Sequence, residues 1–304
     1  MGALHQLMAS CICVFQTSLL SLTKGSGPDM GETAEFLTIT QLDAGTTLPA
    51  DAFDQLRDGR VDAFVVRGVF APDLCVEMAA ALESNATGFE VTDFPGPFQS
   101  FFYGRNLNLN APELDGYFSA AARFQTDLAR FGVSLGVDIK GHIASVMSAL
   151  DHGRPFEAAP GPGTSPHFFT TFRGHRPGGY IPAHFDNEQG FRPSYRHVAA
   201  ATEGEIISFV VTLAEAEAGG MLELYDLLSG DPAEGHRNDD GSACKPDLAT
   251  LRSQTIRVSA GSMVLARSGR RLHRVQPVEG TRTRWTLCSF MAVSRSGDRT
   301  YCWG

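Results

Sequence analysis

Between Glu205 and Val293 the chain is a succession of short runs of β-branched and aromatic residues, broken by Gly and Pro. Glu205 to Leu213 (EIISFVVTL) has the composition of a buried strand. Ala218-Gly219-Gly220 turns the chain into a second run, Met221 to Tyr225. Gln254 to Val258, Ser262 to Ala266, Arg271 to Val275 and Arg284 to Val293 continue the series. Many short strands with turn signals between them predict a sandwich or barrel. The preceding region reads as helical. Ala71-Pro72-Asp73 opens a helix to about Glu83, with Pro in the first turn where its missing N–H costs nothing. Pro112 to Phe131 and Ile139 to Leu150 are two further helices, expected to buttress one face of the β-fold.

Into this pattern falls one His-x-Asp triplet, His184-Phe185-Asp186, introduced by the turn-rich Gly178-Gly179-Tyr180-Ile181-Pro182-Ala183. On a strand, residues i and i+2 share a face with Cα atoms about 7 Å apart, so His184 and Asp186 can grip one ion while Phe185 turns away. His273, far along the chain, is placed to supply a third ligand from a neighbouring strand. Two imidazoles and one carboxylate are the ligand set of a mononuclear Fe(II) site that keeps positions open for oxygen chemistry.

Arg284, eleven residues beyond His273, adds a fixed cation suited to the far carboxylate of a chelating 2-oxo acid. Counting by two puts Arg284, Thr286, Cys288 and Phe290 on one face of the last long strand. Arg282 shares that parity and competes for the role. Arg270, Arg271 and Arg274 lie near the turn or on the His273 strand, where a solvated position is expected. Phe290 either lines the substrate side of the pocket or is an ordinary core aromatic.

From about Val65 onward the chain resembles a small group of 2-oxoglutarate oxygenases acting on free-standing small molecules. The group comprises the N-succinyl amino acid β-hydroxylases and the carrier-independent halogenases of indole alkaloid pathways. The resemblance is carried by Arg67-Gly68-Val69-Phe70, Gly116-Tyr117-Phe118, Glu215 to Tyr225 (EAEAGGMLELY), and the closing run from Ala260 to Gly304 with His273-Arg274-Val275 and Tyr301-Cys302-Trp303. It implies a double-stranded β-helix of the jelly-roll and cupin type with added N-terminal helices. It further implies Fe(II) held by His184, Asp186 and His273, with 2-oxoglutarate and O2 as cosubstrates and Arg284 on the 2-oxoglutarate. The halogenases have glycine where this chain has Asp186. A carboxylate there takes the halide's position and adds negative charge, so the expected outcome is hydroxylation of an unactivated C–H bond, with succinate and CO2 released.

The stretch Phe94 to Asn110 (FPGPFQSFFYGRNLNLN) interleaves aromatic residues with Gly, Pro, Gln and Asn, the make-up of a lid over a small-molecule pocket. In that reading Gly104 lets a ligand approach backbone and Arg105 holds a substrate carboxylate. The alternative is a loop anchored by its phenylalanines, with Arg105 solvated. Arg173, on the expected strand Phe168 to Arg173, is a further candidate for an anionic group. His167, His175 and His197 are read as structural or exposed.

A net charge of −9 argues against nucleic acid as partner, and 43% hydrophobic with 19% charged residues is ordinary for a globular protein. The expected organisation is one oxygenase domain over 34–304, helical over about 50–150, with the jelly-roll core at about 165–295. Residues 1–33, containing Met30, are expected to be a disordered extension. Their apolar stretch Leu7 to Leu22 is short of a membrane span and lacks a basic start, so neither membrane nor secretory signal is expected. Ser229 to Asp247 reads as a surface insertion. The six cysteines (Cys11, Cys13, Cys75, Cys244, Cys288, Cys302) show no zinc spacing and are expected as reduced thiols in the cytoplasm. The substrate class that fits is an N-acyl or otherwise N-substituted L-amino acid. Hydroxylation of an alkaloid or other natural product, hydroxylation of a protein side chain, and metal binding by a non-catalytic cupin-like protein remain as alternatives.

Overall fold

The computed structural model describes residues 36–94, 96–107, 114–163, 165–187, 193–231 and 246–304. Residues 1–33, Cys244, most of the Ser229 to Asp247 insertion and the end of the 94–110 segment lie outside them. In chain order the elements are β1 Ile39–Asp43, α1 Ala52–Arg57, β2 Ala63–Arg67, α2 Pro72–Glu83, β3 Val91–Asp93, β4 Ser100–Tyr103, α3 Asp115–Ser134, α4 Ile139–Leu150 and β5 Phe156–Ala158. They continue with β6 Thr171–His175, β7 Ile181–His184, α5 Arg196–Ala201, β8 Thr202–Ala214, β9 Ala218–Gly219, β10 Leu222–Leu228 and β11 Ser253–Ile256. The chain ends with β12 Met263–Ala266, β13 Arg271–Val275, β14 Val278–Glu279, β15 Arg284–Ser294 and β16 Thr300–Trp303.

The antiparallel pair β8–β15 is the spine of the larger sheet, whose order is β1-β2-β12-β8-β15-β6-β4-β3, with β16 paired to β15 and β5 to β16. A smaller sheet, β11-β10-β13-β7, faces it. The two together are a double-stranded β-helix of the jelly-roll type. Period-two alternation gives each face of the larger sheet its own task. Phe64, Val66, Phe209, Val211, Leu265, Trp285 and Leu287 point outward and form one core with α1 to α4. Ala63, Val65, Val264 and Ala266 point inward and pack on Leu224 and Ile256 of the smaller sheet.

The helices form where the sequence expects them, for local reasons. Pro72 sits in the first turn of α2, whose Cys75, Met78 and Leu82 are buried at helical spacing. Asp138 caps α4 by accepting from Gly141 N at 2.9 Å. In α3, Phe124, Leu128 and Phe131 face the sheet, where Phe124 and Phe131 meet Phe89 and Phe172 in a cluster of rings.

Three expectations are corrected. The Phe94 to Asn110 stretch is not loop throughout: Ser100–Tyr103 is β4, paired with β6. The strand expected at Phe168 to Arg173 begins later, at Thr171, and runs to His175. Arg271 is not solvated; it is buried and ion-paired with Asp62 at 2.5 Å.

Among the described residues, no helix is long and apolar enough to cross a membrane. Cys75, Cys288 and Cys302 are free thiols.

His167 is fully buried, ringed by Tyr117 and Phe118, with Nδ1 3.0 Å from the Ala159 carbonyl. Burial outweighs that hydrogen bond and lowers its pKa to about 4. An unfolded histidine takes up its proton near pH 6.5, so between pH 7 and 4 the unfolded chain binds the extra proton and stability falls with pH. This one residue should cost about 2 kcal/mol between pH 7 and pH 5. Urea unfolding across that range should show the loss, and His167→Gln should flatten the slope by about one proton.

Candidate metal centre

The smaller sheet builds the site through register. On the β13–β7 ladder His273 lies directly opposite His184, so both side chains leave the same face. On the other side of β13, His273 lies opposite Leu224, whose side chain packs between the sheets. The histidines therefore face the interior of the β-helix. Their ring centroids are 4.3 Å apart.

Asp186 reaches the pair differently from the expected strand geometry. β7 ends at His184, and Asp186 lies in the turn beyond it, its N–H donating to the Ser268 carbonyl at 2.9 Å. The turn carries the carboxylate to the same point: Oδ1 is 3.3 Å from His184 Nε2, and Oδ2 is 3.7 Å from His273 Nε2. One ligand atom from each residue lies within 4.8 Å of the others.

The donor set suits a divalent metal. His184 Nδ1 is 2.8 Å from the Pro182 carbonyl, and His273 Nδ1 is 3.0 Å from the Arg271 carbonyl. Each Nδ1–H is thereby engaged with backbone, leaving both Nε2 lone pairs directed at the common point. Burial and the neighbouring His184 lower the His273 pKa to about 4, so its imidazole is neutral at ordinary pH. Burial raises the Asp186 carboxyl, but its contacts with His184 and His273 prevail and hold it at about 2. A ready carboxylate and a neutral His273 imidazole are what metal ligation requires.

The inner face of the larger sheet carries Arg284, which is 9% exposed. Gly220, at φ +62°, makes room for it, since a Cβ there would lie 2.9 Å from Arg284 Cδ. Burial and the nearby Arg173 lower the Arg284 pKa to about 10, still fully cationic at neutral pH. Arg282 is 72% exposed at its side chain and pairs with Glu217 at 3.2 Å, which removes it from competition for an interior role. Arg270 pairs with Glu205 and Arg274 with Glu223.

The remaining candidates divide. Arg173 lies on the inner face, its guanidinium 4.4 Å from the centre of the Phe102 ring. Gly104, at φ +113°, is closed in by the Phe168 ring and Thr171, so its backbone approaches protein and not a ligand. Arg105 pairs with Glu90 at 2.6 Å, with Arg123 on the same carboxylate. Phe290 stands six residues along β15 from Arg284, about 20 Å at strand rise, and packs on Trp303. Phe94, Phe98 and Tyr180 form a chain of rings, and Tyr180 directly precedes β7. Tyr180 stands four residues before His184, and only the pairing of its N–H with Phe98 O reveals its place beside the aromatic segment.

The family model of the carrier-protein-independent halogenase WelO5 matches residues 34–304. The crystal structure of an N-substituted L-amino acid dioxygenase from Burkholderia ambifaria AMMD has a TM-score of 0.53 at 16% identity, over 83% of this chain and 91% of that one. The structure of that protein in complex with alpha-KG gives 0.52 at 15% identity, over 83% and 90%. At such identity the likeness establishes a shared fold. No curated protein sequence matches the chain.

Replacing His273 or Asp186 by Ala should weaken Co(II) or Fe(II) binding on the order of 100-fold or more, because each removes one of three protein ligands. Anaerobic titration followed by absorbance or calorimetry measures it. Arg282→Ala should leave metal binding unchanged.

Proposed function

This chain belongs to the family of the carrier-protein-independent halogenase WelO5, whose members are iron and 2-oxoglutarate dependent oxygenases, and from that premise we propose that it hydroxylates an unactivated C–H bond of an N-substituted L-amino acid. His184, Asp186 and His273 hold the iron, and Arg284 binds the far carboxylate of 2-oxoglutarate. When bound, the iron and cosubstrate supply oxidation of a C–H bond by O2, with 2-oxoglutarate leaving as succinate and CO2.

The observation that carries hydroxylation over halogenation is the seat of Asp186, a buried carboxylate with its oxygens 3.3 Å and 3.7 Å from the two imidazole Nε2 atoms. It takes the position a halide would need, and its charge repels one in a water-poor site. The residues around it orient and exclude. The two backbone carbonyls fix the imidazoles by accepting from Nδ1, and the interior position shields the reacting carbon from water. The aromatic rings of Phe94, Phe98 and Tyr180 offer an apolar surface for the substrate's acyl or side-chain portion. The fold neighbour is named for N-substituted L-amino acids, which supports that substrate class.

The test is a panel of N-acyl and N-alkyl L-amino acids with Fe(II), 2-oxoglutarate and air, run in 0.5 M chloride. The expected result is substrate-stimulated succinate release with a product heavier by one oxygen and no chlorinated product. A chlorinated product would overturn the reaction type. No substrate-dependent succinate with any member, against release with an alkaloid, would overturn the substrate class.

A further inference from the structure

Arg284 is not the sole cation on the inner face. In the β15–β6 ladder His175 lies directly opposite Arg284, and Arg173 directly opposite Thr286. Opposite residues share a face, so Arg284, His175 and Arg173 crowd one patch of the interior. Thr212, opposite Thr286 on β8, and Ser100, opposite His175 on β4, add hydroxyls to it.

Among the described residues no carboxylate forms an ion pair with the half-buried Arg173 or the buried Arg284, whereas the buried Arg267 and Arg271 each have one. Arg173 Nε and both ring nitrogens of His175 are buried without a hydrogen-bond partner, and His175 is fully buried. The two guanidiniums repel each other, which contributes to the lowered Arg284 pKa. Burial and both arginines hold His175 far below the usual histidine range, so its imidazole is a neutral donor. Two cations without a carboxylate, one buried and one half-buried, beside an unpartnered buried imidazole are costly unless an anion completes them.

We propose that Arg173 and His175 belong to the 2-oxoglutarate subsite, so that the far carboxylate is gripped by two guanidiniums and the imidazole together, and that Arg173 does not serve the amino acid substrate. The inference rests on the reading of the chain as a 2-oxoglutarate oxygenase and assigns two residues within it. One carboxylate has two oxygens, and a pair of guanidiniums can take one each. The stacking of Arg173 on Phe102 holds its plane in place for that contact. The arrangement makes the subsite strict for a 2-oxo diacid, since a cosubstrate without the far carboxylate leaves both cations unpaired.

The test is anaerobic calorimetry of the Zn(II)-loaded protein with 2-oxoglutarate and with 2-oxopentanoate, which lacks the far carboxylate, in wild type, Arg173→Met, Arg173→Lys and His175→Phe. Arg173→Met should weaken 2-oxoglutarate by about 10- to 100-fold and leave 2-oxopentanoate unchanged, with His175→Phe weakening 2-oxoglutarate by about 5-fold. Arg173→Lys keeps the charge without the fork and should fall between. The melting temperature of Arg173→Met without ligand should equal or exceed that of wild type, because a half-buried cation without a carboxylate partner is gone. Unchanged 2-oxoglutarate affinity in Arg173→Met, with KM raised only for the amino acid, would overturn the assignment. Equal weakening for both 2-oxo acids would overturn it too. Wild type that binds neither acid would sink the oxygenase reading itself. Should Arg173→Met not fold, Arg173→Lys decides by the same comparison.

Discussion

The register of one short ladder governs the site: His273 of β13 stands opposite His184 of β7. Side chains alternate along a strand, so a slip of one residue would send one imidazole to the outer face and leave the other alone. The register is held from both sides. β13 pairs with β10, where Leu222 meets Val275 and Leu224 meets His273, and Leu224 is locked between the sheets against Val264 and Ala266. The histidine pair is thus pinned by apolar packing on neighbouring positions, and ligand geometry does not rest on the metal to form. Asp186 adds a third fixed point through its own backbone, which is tied to Ser268 ahead of β13.

Much of this could be read before any coordinates, and the failures share a cause. Branched and aromatic runs gave β8, β10, β12, β13 and β15 close to their observed bounds, because those signals are local. The His-x-Asp spacing pointed to the right carboxylate by an incomplete argument, since strand geometry ends at His184 and a turn does the rest. Arg271 and Arg105 were misjudged or left open because an arginine's fate depends on a distant acid. Asp62 draws Arg271 inward, and Glu90 holds Arg105. The same kind of partner, Glu217, separates Arg282 from Arg284, which parity alone left tied. Ladder partners such as His175 opposite Arg284 lie on strands far apart in sequence, and only the fold brings them together.

The interior holds opposite charges on opposite walls. The smaller sheet and the turn after it bring one carboxylate and two imidazoles; the larger sheet brings two guanidiniums and a neutral imidazole. At low effective dielectric such separation favours a ligand that carries its charge at both ends, with one end chelating a dication and the other meeting the guanidiniums. 2-Oxoglutarate has that form. A halide does not: it would have to share the metal with Asp186 and gain nothing from the far wall. The Asp186 carboxyl, held at about 2, is charged at neutral pH, which disfavours a second anion beside it. In this chain Asp186 therefore acts together with the cationic wall, and the two suit a ligand that carries a carboxylate at its far end.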